Sequence, residues 1–366
     1  MSDGARPVGR ATLADVAAAA GVSVGTASRA LRGRGELAAD TRARVLAAAR
    51  TAGYARADEP RGRPRDGTAR AFDLVLGHFH DPYTDEVVAG ARTAAAELNY
   101  DLVLTAERDD PADDWPARTR ARGSAGVLMG VLLPTSAQLA VVRDAGIPLV
   151  LVDPPSGDTH GLPSIRTTDR AGGAAAAAHL LECGARRFVV VGGVPAYRYG
   201  RARVEGFTAT VAGGAPGAPC VVTTAGWRAD DAHRAAAQAL DELASRRGGG
   251  SEAAADGGPI GLFACSDEMA AGSYRAVAEA GLVVGRDVLV VGFDDVRGAR
   301  WLHPPLTTIR QPIREMAAAG VRMLADLARG REPADAIVEL PTQLIARAST
   351  RGAVTPRASA PASAGR

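Results

Sequence analysis

Lysine is absent from this 366-residue chain, and all 43 of its basic residues are arginine. Together with the abundance of alanine and glycine, that bias looks like GC-rich coding, so runs of Ala, Gly or Arg carry less structural information here than usual. Aromatic residues are scarce at 4%. The three cysteines, Cys183, Cys220 and Cys265, are far apart and form no CxxC pair, which excludes a disulfide framework and a thiolate zinc site. No run of about 20 strongly apolar residues exists to span a bilayer, and Ala174–Ala178 is too short and too weakly hydrophobic to serve. The segment Met1 to Arg10 has no apolar core, so a secretory signal is not expected. The expectation is a cytoplasmic protein with no membrane partner.

What is present is a globular composition, 46% hydrophobic and 23% charged, over a length that suits two or three domains. The net charge of +2 conceals a division. Residues 1–70 hold 13 Arg against 7 Asp and Glu, a balance of +6, and the remainder carries −4. A small basic module on a mildly acidic body directs attention to the first part as the one that meets a polyanion.

Three short helices are predicted before Tyr54. Thr12 caps the first, with Asp15 at the third position in a capping-box arrangement, and Leu13, Val16, Ala17 and Ala20 on one face. Gly21 supplies the left-handed residue that ends it, Val22 fills a small core, and Ser23 caps the second helix, Val24 to about Leu31. A third, about Ala39 to Ala52, presents Val45, Leu46 and Ala49 inward. The tight Gly turn makes this a helix-turn-helix, whose second helix enters the major groove with Val24, Gly25, Ser28 and Arg29 outward. Arg29 is the candidate base reader, because its fork matches the two acceptors of guanine. Thr12, Ser23, Thr26, Ser28 and Thr41 are short hydroxyl residues suited to phosphates.

The string Thr12-Leu-Ala-Asp-Val-Ala-Ala-Ala-Ala-Gly-Val-Ser-Val-Gly-Thr-Ala-Ser-Arg-Ala-Leu31, with Thr41-Arg42 and Gly53-Tyr54, resembles the DNA-binding domain of the LacI/GalR repressor family. The resemblance implies base reading by Val24, Gly25 and Arg29. Gly25 departs from the pattern because it has no side chain to read with, which shifts the burden to Arg29 and to Val24 against a thymine methyl. Ala38 departs too, standing where the family caps its third helix with Ser. Residues 55–71 are rich in Arg, Pro and Gly and are expected to form a flexible tether. The family has a hinge helix here with a minor-groove leucine, but no leucine lies between Leu46 and Leu74. Instead Arg61-Gly62-Arg63-Pro64-Arg65 resembles the core of an AT-hook, with Arg61 and Arg63 placed to follow a narrow minor groove; a solvated linker is the alternative.

From Phe72 onward apolar runs alternate with amphipathic stretches. Predicted strands are Phe72–Phe79, Asp101–Thr105, Gly126–Leu133, Pro148–Asp153, Phe188–Gly192, Ile260–Ala264 and Val288–Phe293. Predicted helices are Asp85–Leu98, Gln138–Ala145, Thr168–Cys183, Arg201–Val211, Ala232–Arg246, Glu268–Ala280 and Pro312–Leu327. This alternation implies parallel sheets covered on both faces, and too many units for one sheet, hence two α/β lobes with a ligand in the crevice at the strand ends. The fold class expected is therefore a small all-α helix-turn-helix domain (1–54) followed, after the linker, by a two-lobed α/β domain with parallel sheets (72–350). Gly248–Gly258 is a low-complexity insertion and 351–366 a tail without structure.

The family resemblance extends to about Thr350 through His179-Leu-Leu-x-x-Gly184, Arg203-x-x-Gly-Phe207, Ser266-Asp-Glu-Met269, Val291-Gly-Phe-Asp-Asp295, Pro305-Leu-Thr-Thr-Ile309 and Leu340-Pro-Thr-x-Leu344. It implies a periplasmic-binding-protein-like effector domain, with the chain crossing between lobes near Arg166, Thr308 and Ile337. Lobe 1 is then about 72–166 and 309–337, and lobe 2 about 167–308 and 338–350. It also implies a sugar effector: Arg203 and Asp294 match the family's arginine and aspartate that hold ligand hydroxyls, and Tyr83 and Trp227 fall where aromatic or apolar walls stand. Ser266 replaces a frequent Asn. Each has a plainer reading, with Tyr83 or Trp227 in the core and Asp294 capping a helix. His78 and His80 share one face but lack a third metal ligand, so no metal or other cofactor is expected. Asp109, Asp110, Asp113 and Asp114 read as a solvated loop.

The expected function is a ligand-responsive transcription factor, a repressor whose homodimer reads a pseudo-palindromic operator in double-stranded DNA. No GxSxG elbow, GxxxxGK[ST], HExxH or Rossmann GxGxxG organises enzyme chemistry. A solute-transport receptor would not need the DNA-binding head. A DNA-binding protein with a disused cleft is a further alternative.

Overall fold

The computed structural model describes residues 12–32, 38–52, 54, 70–107, 114–245 and 258–351. The 55–69 segment with Arg61 and Arg63, Asp109, Asp110, Asp113, residues 248–257 and the tail beyond Arg351 lie outside the described residues. The chain divides into two compact units.

The first unit holds α1 (Leu13–Ala19), α2 (Val24–Arg32) and α3 (Ala39–Thr51). Thr12 and Asp15 form the reciprocal capping box, with the Asp15 amide donating to Thr12 Oγ1 at 3.3 Å and the Thr12 amide to Asp15 Oδ2 at 2.7 Å. At the other end of α1, Gly21 sits at φ +63°. The amides of Gly21 and Val22 return to the carbonyls of Ala18 and Ala17 at 3.2 and 3.0 Å, a Schellman closure that sets the turn into α2. The core is Val16, Ala17, Ala20, Ala27, Ala30, Val45 and Ala49, with Leu13, Val22, Leu31 and Tyr54 packed on it. Leu46, expected inside, is 41% exposed, because the residue next to buried Val45 is rotated about 100° away around the helix. Ala38 starts α3 with its backbone carbonyl alone, which accepts from the Thr41 and Arg42 amides at 3.0 and 3.1 Å.

The second unit builds two six-stranded sheets. In chain order its elements are β1 (Ala71–Leu76), α4 (Pro82–Glu97), β2 (Asp101–Ala106), α5 (Trp115–Arg122), β3 (Gly126–Gly130), α6 (Ser136–Asp144), β4 (Leu149–Val152), β5 (Ser164–Thr167), α7 (Asp169–Glu182), β6 (Arg187–Gly192), α8 (Arg198–Gly214), β7 (Cys220–Thr224), α9 (Ala229–Ser245), β8 (Ile260–Ala264), α10 (Asp267–Glu279), β9 (Val288–Asp294), β10 (Thr307–Arg310), α11 (Ile313–Ala328), β11 (Ile337–Leu340) and β12 (Gln343–Ile345). The first sheet runs β11-β5-β4-β3-β1-β2, all parallel. The second runs β12-β10-β9-β8-β6-β7, parallel except for β12, which pairs antiparallel with β10. An antiparallel edge on a parallel sheet is a familiar mixed arrangement.

The strand ranges displace the expected crossings slightly. β5 stays in the first sheet to Thr167, β10 in the second to Arg310, and β11 in the first to Leu340, so the chain passes between lobes at 168, 311–312 and 341–342. The central strands of both lobes are wholly buried, with Leu74, Leu128, Val150 and Ile165 in one core and Val189, Leu262, Val290 and Phe293 in the other. Because the first sheet is wholly parallel and the second parallel but for β12, the carboxyl ends of the strands gather at one edge per lobe, where ligands bind in such sheets. Among the described residues no helix is long and apolar enough to cross a membrane.

Candidate functional site

In the first unit the site is the open side of α2. Ala27 and Ala30 are buried, which turns Val24, Gly25 and Arg29 outward, all exposed, with Ser28 half-buried beside them. Positions 24 and 28, like 25 and 29, are one turn apart on a single face. Ser23 Oγ accepts from the Thr26 amide at 3.1 Å and lies 2.9 Å from Thr26 Oγ1, so these hydroxyls also secure the helix start. The letters Gly21-Val22-Ser23-Val24-Gly25 have nucleophile-elbow spacing, but here the serine caps a helix that follows another helix rather than a strand. Thr12 is exposed at the start of α1, and Thr41 is half-buried in the first turn of α3.

In the second unit the strand ends of the two lobes meet in one continuous polar chain. Asp81 caps α4 by accepting from the Tyr83 and Thr84 amides at 2.9 and 3.0 Å, which fixes Tyr83 in the first turn of that helix. The Tyr83 phenol donates to Asp153 Oδ2 at 3.2 Å. Arg198 Nη2 donates to Asp153 Oδ1 at 3.0 Å, and its Nη1 to Asp169 Oδ2 at 2.9 Å. Arg203 Nε takes the other oxygen of Asp169 at 2.9 Å, while its Nη1 donates to the Cys265 carbonyl at 2.7 Å and stands 3.7 Å from Asp294 Oδ1. Gln311 Nε2 donates to Asp294 Oδ1 at 2.6 Å.

Arg203 is 2% exposed and its guanidinium lies 3.8 Å from the ring centre of Phe293. Burial works against its charge, but Asp169, Asp294 and Asp153 outweigh that and raise its pKa above the ordinary arginine value. Burial pushes Asp294 up to about 7, against the opposing pull of Arg203 and the Gln311 hydrogen bond. Burial, with the neighbouring Asp169 charge, pushes Asp153 up to about 6. Burial and the Asp153 carboxylate hold the Tyr83 phenol well above its usual value. The backbone is strained at the same places: Asp153, Asp294 and Asp295 have φ of 47°, 116° and 58°, conformations that non-glycine residues rarely hold.

Trp227 stands on the lobe 2 side. Its ring packs across Gly193 and Gly200, where added β-carbons would come within 2.3 and 3.3 Å of it, and it groups with Tyr197 and Tyr199 at centroid distances of 6.3 and 5.3 Å. Its indole Nε1 is buried with no hydrogen-bond partner among the described residues. Ser266 is the N-cap of α10, with Oγ accepting from the Met269 amide at 3.1 Å. The next residue, Asp267, accepts from the Val296 amide at 2.9 Å and the Thr308 hydroxyl at 2.5 Å, which ties the segment after β9 to α10. His78 is bonded through Nδ1 to Asp81 at 2.8 Å, and among the described residues no three side chains group as metal ligands.

Thus Tyr83, Arg203 and Asp294 lie on one polar chain at the strand ends of the two lobes, Trp227 packs beside it through Tyr199, and Ser266 adjoins it through the Cys265 carbonyl. Sequence reasoning missed Asp153, Asp169, Arg198, Tyr199 and Gln311. Asp153 ends an apolar run, the one local signal available; the others become neighbours only when the strand ends gather.

Residues 12–57 match the family model described as bacterial regulatory proteins, lacI family, and residues 177–350 match that of a periplasmic binding protein-like domain. The chain is similar to the helix-turn-helix-type transcriptional regulator MalR of Streptomyces coelicolor, 32% identical over 351 residues that cover 93% of this chain and 97% of that protein. It is similar to the transcriptional regulator CelR in complex with cellobiose, at 26% identity and a TM-score of 0.66, covering 93% of this chain and 100% of that one. The lac repressor dimer bound to operator and an anti-inducer shares the fold at 24% identity and a TM-score of 0.67, covering 94% and 100%.

Proposed function

This chain belongs to the lacI family of bacterial regulatory proteins, and on that premise we propose that it is a cytoplasmic repressor whose operator affinity is set by a neutral sugar held between the lobes of its second unit. It is a DNA-binding transcriptional regulator, like its relatives, and not an enzyme. One helix-turn-helix makes few base contacts, so a homodimer reading a two-fold symmetric operator is the working form. The dimeric operator complex of the lac repressor supports that reading.

The observation that carries the sugar assignment is the fixed group Arg203–Asp294–Gln311, with the Arg203 guanidinium over the Phe293 ring. Gln311 Oε1 is buried with no hydrogen-bond partner among the described residues, beside the buried Asp294 carboxyl whose Oδ1 accepts from Gln311 Nε2. That amide oxygen calls for a hydroxyl donor. Both Nη atoms of Arg198 and the Nε and Nη1 of Arg203 are meanwhile bonded to Asp153, Asp169 and the Cys265 carbonyl, so their charge is already matched by protein carboxylates, which favours a neutral ligand over a phosphate or carboxylate. The aromatic group of Tyr197, Tyr199 and Trp227 suits the flat apolar faces of a sugar ring. The cellobiose complex of CelR supports the same ligand class.

Calorimetry with neutral mono- and disaccharides, cellobiose and ribose among them, should find a ligand that Arg203→Ala weakens by at least about 100-fold, the cost of stripping a buried charge from its partners. That ligand should change operator affinity in mobility-shift assays by the factor by which operator DNA changes its own affinity. Silence across the neutral panel, or preference for the sugar phosphates, would overturn the proposal.

A further inference from the structure

Arg198 is the first residue of α8, on lobe 2, yet two of its three polar attachments reach lobe 1. Its backbone amide donates to the Pro155 carbonyl at 2.7 Å, just beyond β4. Its Nη2 donates to Asp153 of lobe 1 at 3.0 Å, and its Nη1 donates to Asp169 of lobe 2 at 2.9 Å. The arginine side chain is 16% exposed, and the two carboxylates are 3% and 1% exposed. Both carboxylates are held from behind: Tyr83 occupies the second oxygen of Asp153, and Arg203 the second oxygen of Asp169. The fork of a guanidinium is what allows one side chain to hold two fixed acceptors at once, and a lysine could not reproduce it.

We propose that Arg198 is a clamp that holds the two lobes together in the effector-free protein. Any molecule reaching Asp153 must then compete with a guanidinium already seated there. The ion pair across the seam is well shielded from solvent, so its loss takes the hydrogen-bonded cation from Asp153, leaves only the charges of Arg203 and Arg166 near it, and favours separation of the lobes. The clamp is independent of which effector the crevice takes, so it stands or falls separately from the sugar assignment.

Hydrogen exchange read by mass spectrometry on the full-length, effector-free protein tests it. The reporter is the amide of residue 198, whose acceptor lies in the other lobe. Arg198→Ala and Asp153→Asn should each speed its exchange about tenfold or more, the equivalent of one charge-assisted hydrogen bond removed. The double variant should go little further than either single one. Arg198→Lys should be nearly as fast as the alanine variant, because it cannot hold both carboxylates. Glu205→Gln breaks the exposed Arg170–Glu205 pair within lobe 2 and should leave the reporter unchanged. Amides of β6 and β8 in the same spectra report whether each variant is folded; if Arg198→Ala is not, the lysine and Asp153 variants decide. Wild-type exchange in the folded Arg198 variants would overturn the clamp. So would acceleration by Arg198→Ala without acceleration by Asp153→Asn, because the tie would then lie within lobe 2.

Discussion

Gly173 faces Arg203 so closely that a β-carbon added to the glycine would stand 2.0 Å from the Arg203 carbonyl oxygen. The approach is reciprocal one turn along, where a β-carbon on Gly206 would stand 2.0 Å from the Arg170 carbonyl oxygen. Helices α7 and α8 therefore touch backbone to backbone, and this brings Asp169 at the start of α7 within reach of both Arg198 and Arg203. Gly173→Ala should force the helices apart. The expected cost is about 3 kcal/mol, at the upper end of overpacking penalties. It would appear as a melting temperature lower by roughly 6–12 °C for the second unit and as weakened effector binding. Gly213, near the other end of α8, has open space where its β-carbon would go, so Gly213→Ala should be neutral or slightly stabilising. Equal destabilisation by both would count against the close-approach argument.

The crevice carboxyls carry a pH dependence of definite sign. Asp294 in the folded protein titrates near 7, above the value of about 3.9 for an unfolded aspartate. The folded state thus holds more protons between those values. Its contribution to stability is fully present below about pH 4 and is lost as pH rises through 7. Asp153, raised to about 6, acts in the same direction over a lower window. Other groups titrate as well, so the test is a difference: the stability of wild type relative to Asp294→Asn, followed by chemical denaturation from pH 5 to 8, should fall as pH rises. A flat difference would mean that Asp294 titrates at an ordinary value.

Recognition of DNA should rest unevenly on the outward face of α2. Arg29→Ala should cost about 1–3 kcal/mol per half-site and relax the preference at one base pair, as removal of a bidentate guanine contact does. Thr41→Ala or Ser28→Ala should instead weaken all sequences alike, because a phosphate contact carries no base information. Binding arrays over single-base variants of the operator separate the two patterns. An Arg29 variant that kept full affinity and selectivity would remove the basis for assigning α2 to the groove.

The caps and the Gly21 turn make the first unit legible in sequence, because each is a local event written within four residues. Leu46 misleads for a different reason: in a helix of alanines, Val45 and Leu46 both look like core, and only packing decides which turns inward. In the second unit the long apolar runs announce the central strands, while β5, β7, β10, β11 and β12 escape a reading by pattern. β5 and β10 are four residues each, with buried threonine, serine and arginine that read as polar. β7, β11 and β12 are half-exposed edges of three to five residues, too short for their few apolar residues to stand out as a run. Helix α5 is hidden by its three arginines and Pro116, although Trp115 at its start is wholly buried. The crevice is legible through Arg203 and Asp294, which lie in recognisable strings. Asp153, Asp169, Arg198 and Gln311 are not, since no spacing in the chain foretells that the ends of β4, β9 and β10 and the starts of α7 and α8 converge.

The basic stretch Arg61-Gly62-Arg63-Pro64-Arg65 is expected to add salt-dependent affinity for DNA, as a phosphate-neutralising tether or as a minor-groove contact. Replacing Arg61 and Arg63 by alanine should lower the slope of log affinity against log salt by up to about 2, one for each phosphate left without its arginine. The deficit should be large at low salt and shrink as salt rises. Lysine at both positions then separates the two modes. A tether that only neutralises phosphates should be restored by lysine. Arginines lying in a narrow minor groove should not, because a guanidinium sheds its water there more readily than an ammonium does. Unchanged slopes in the alanine variant would place these arginines outside the DNA interface altogether.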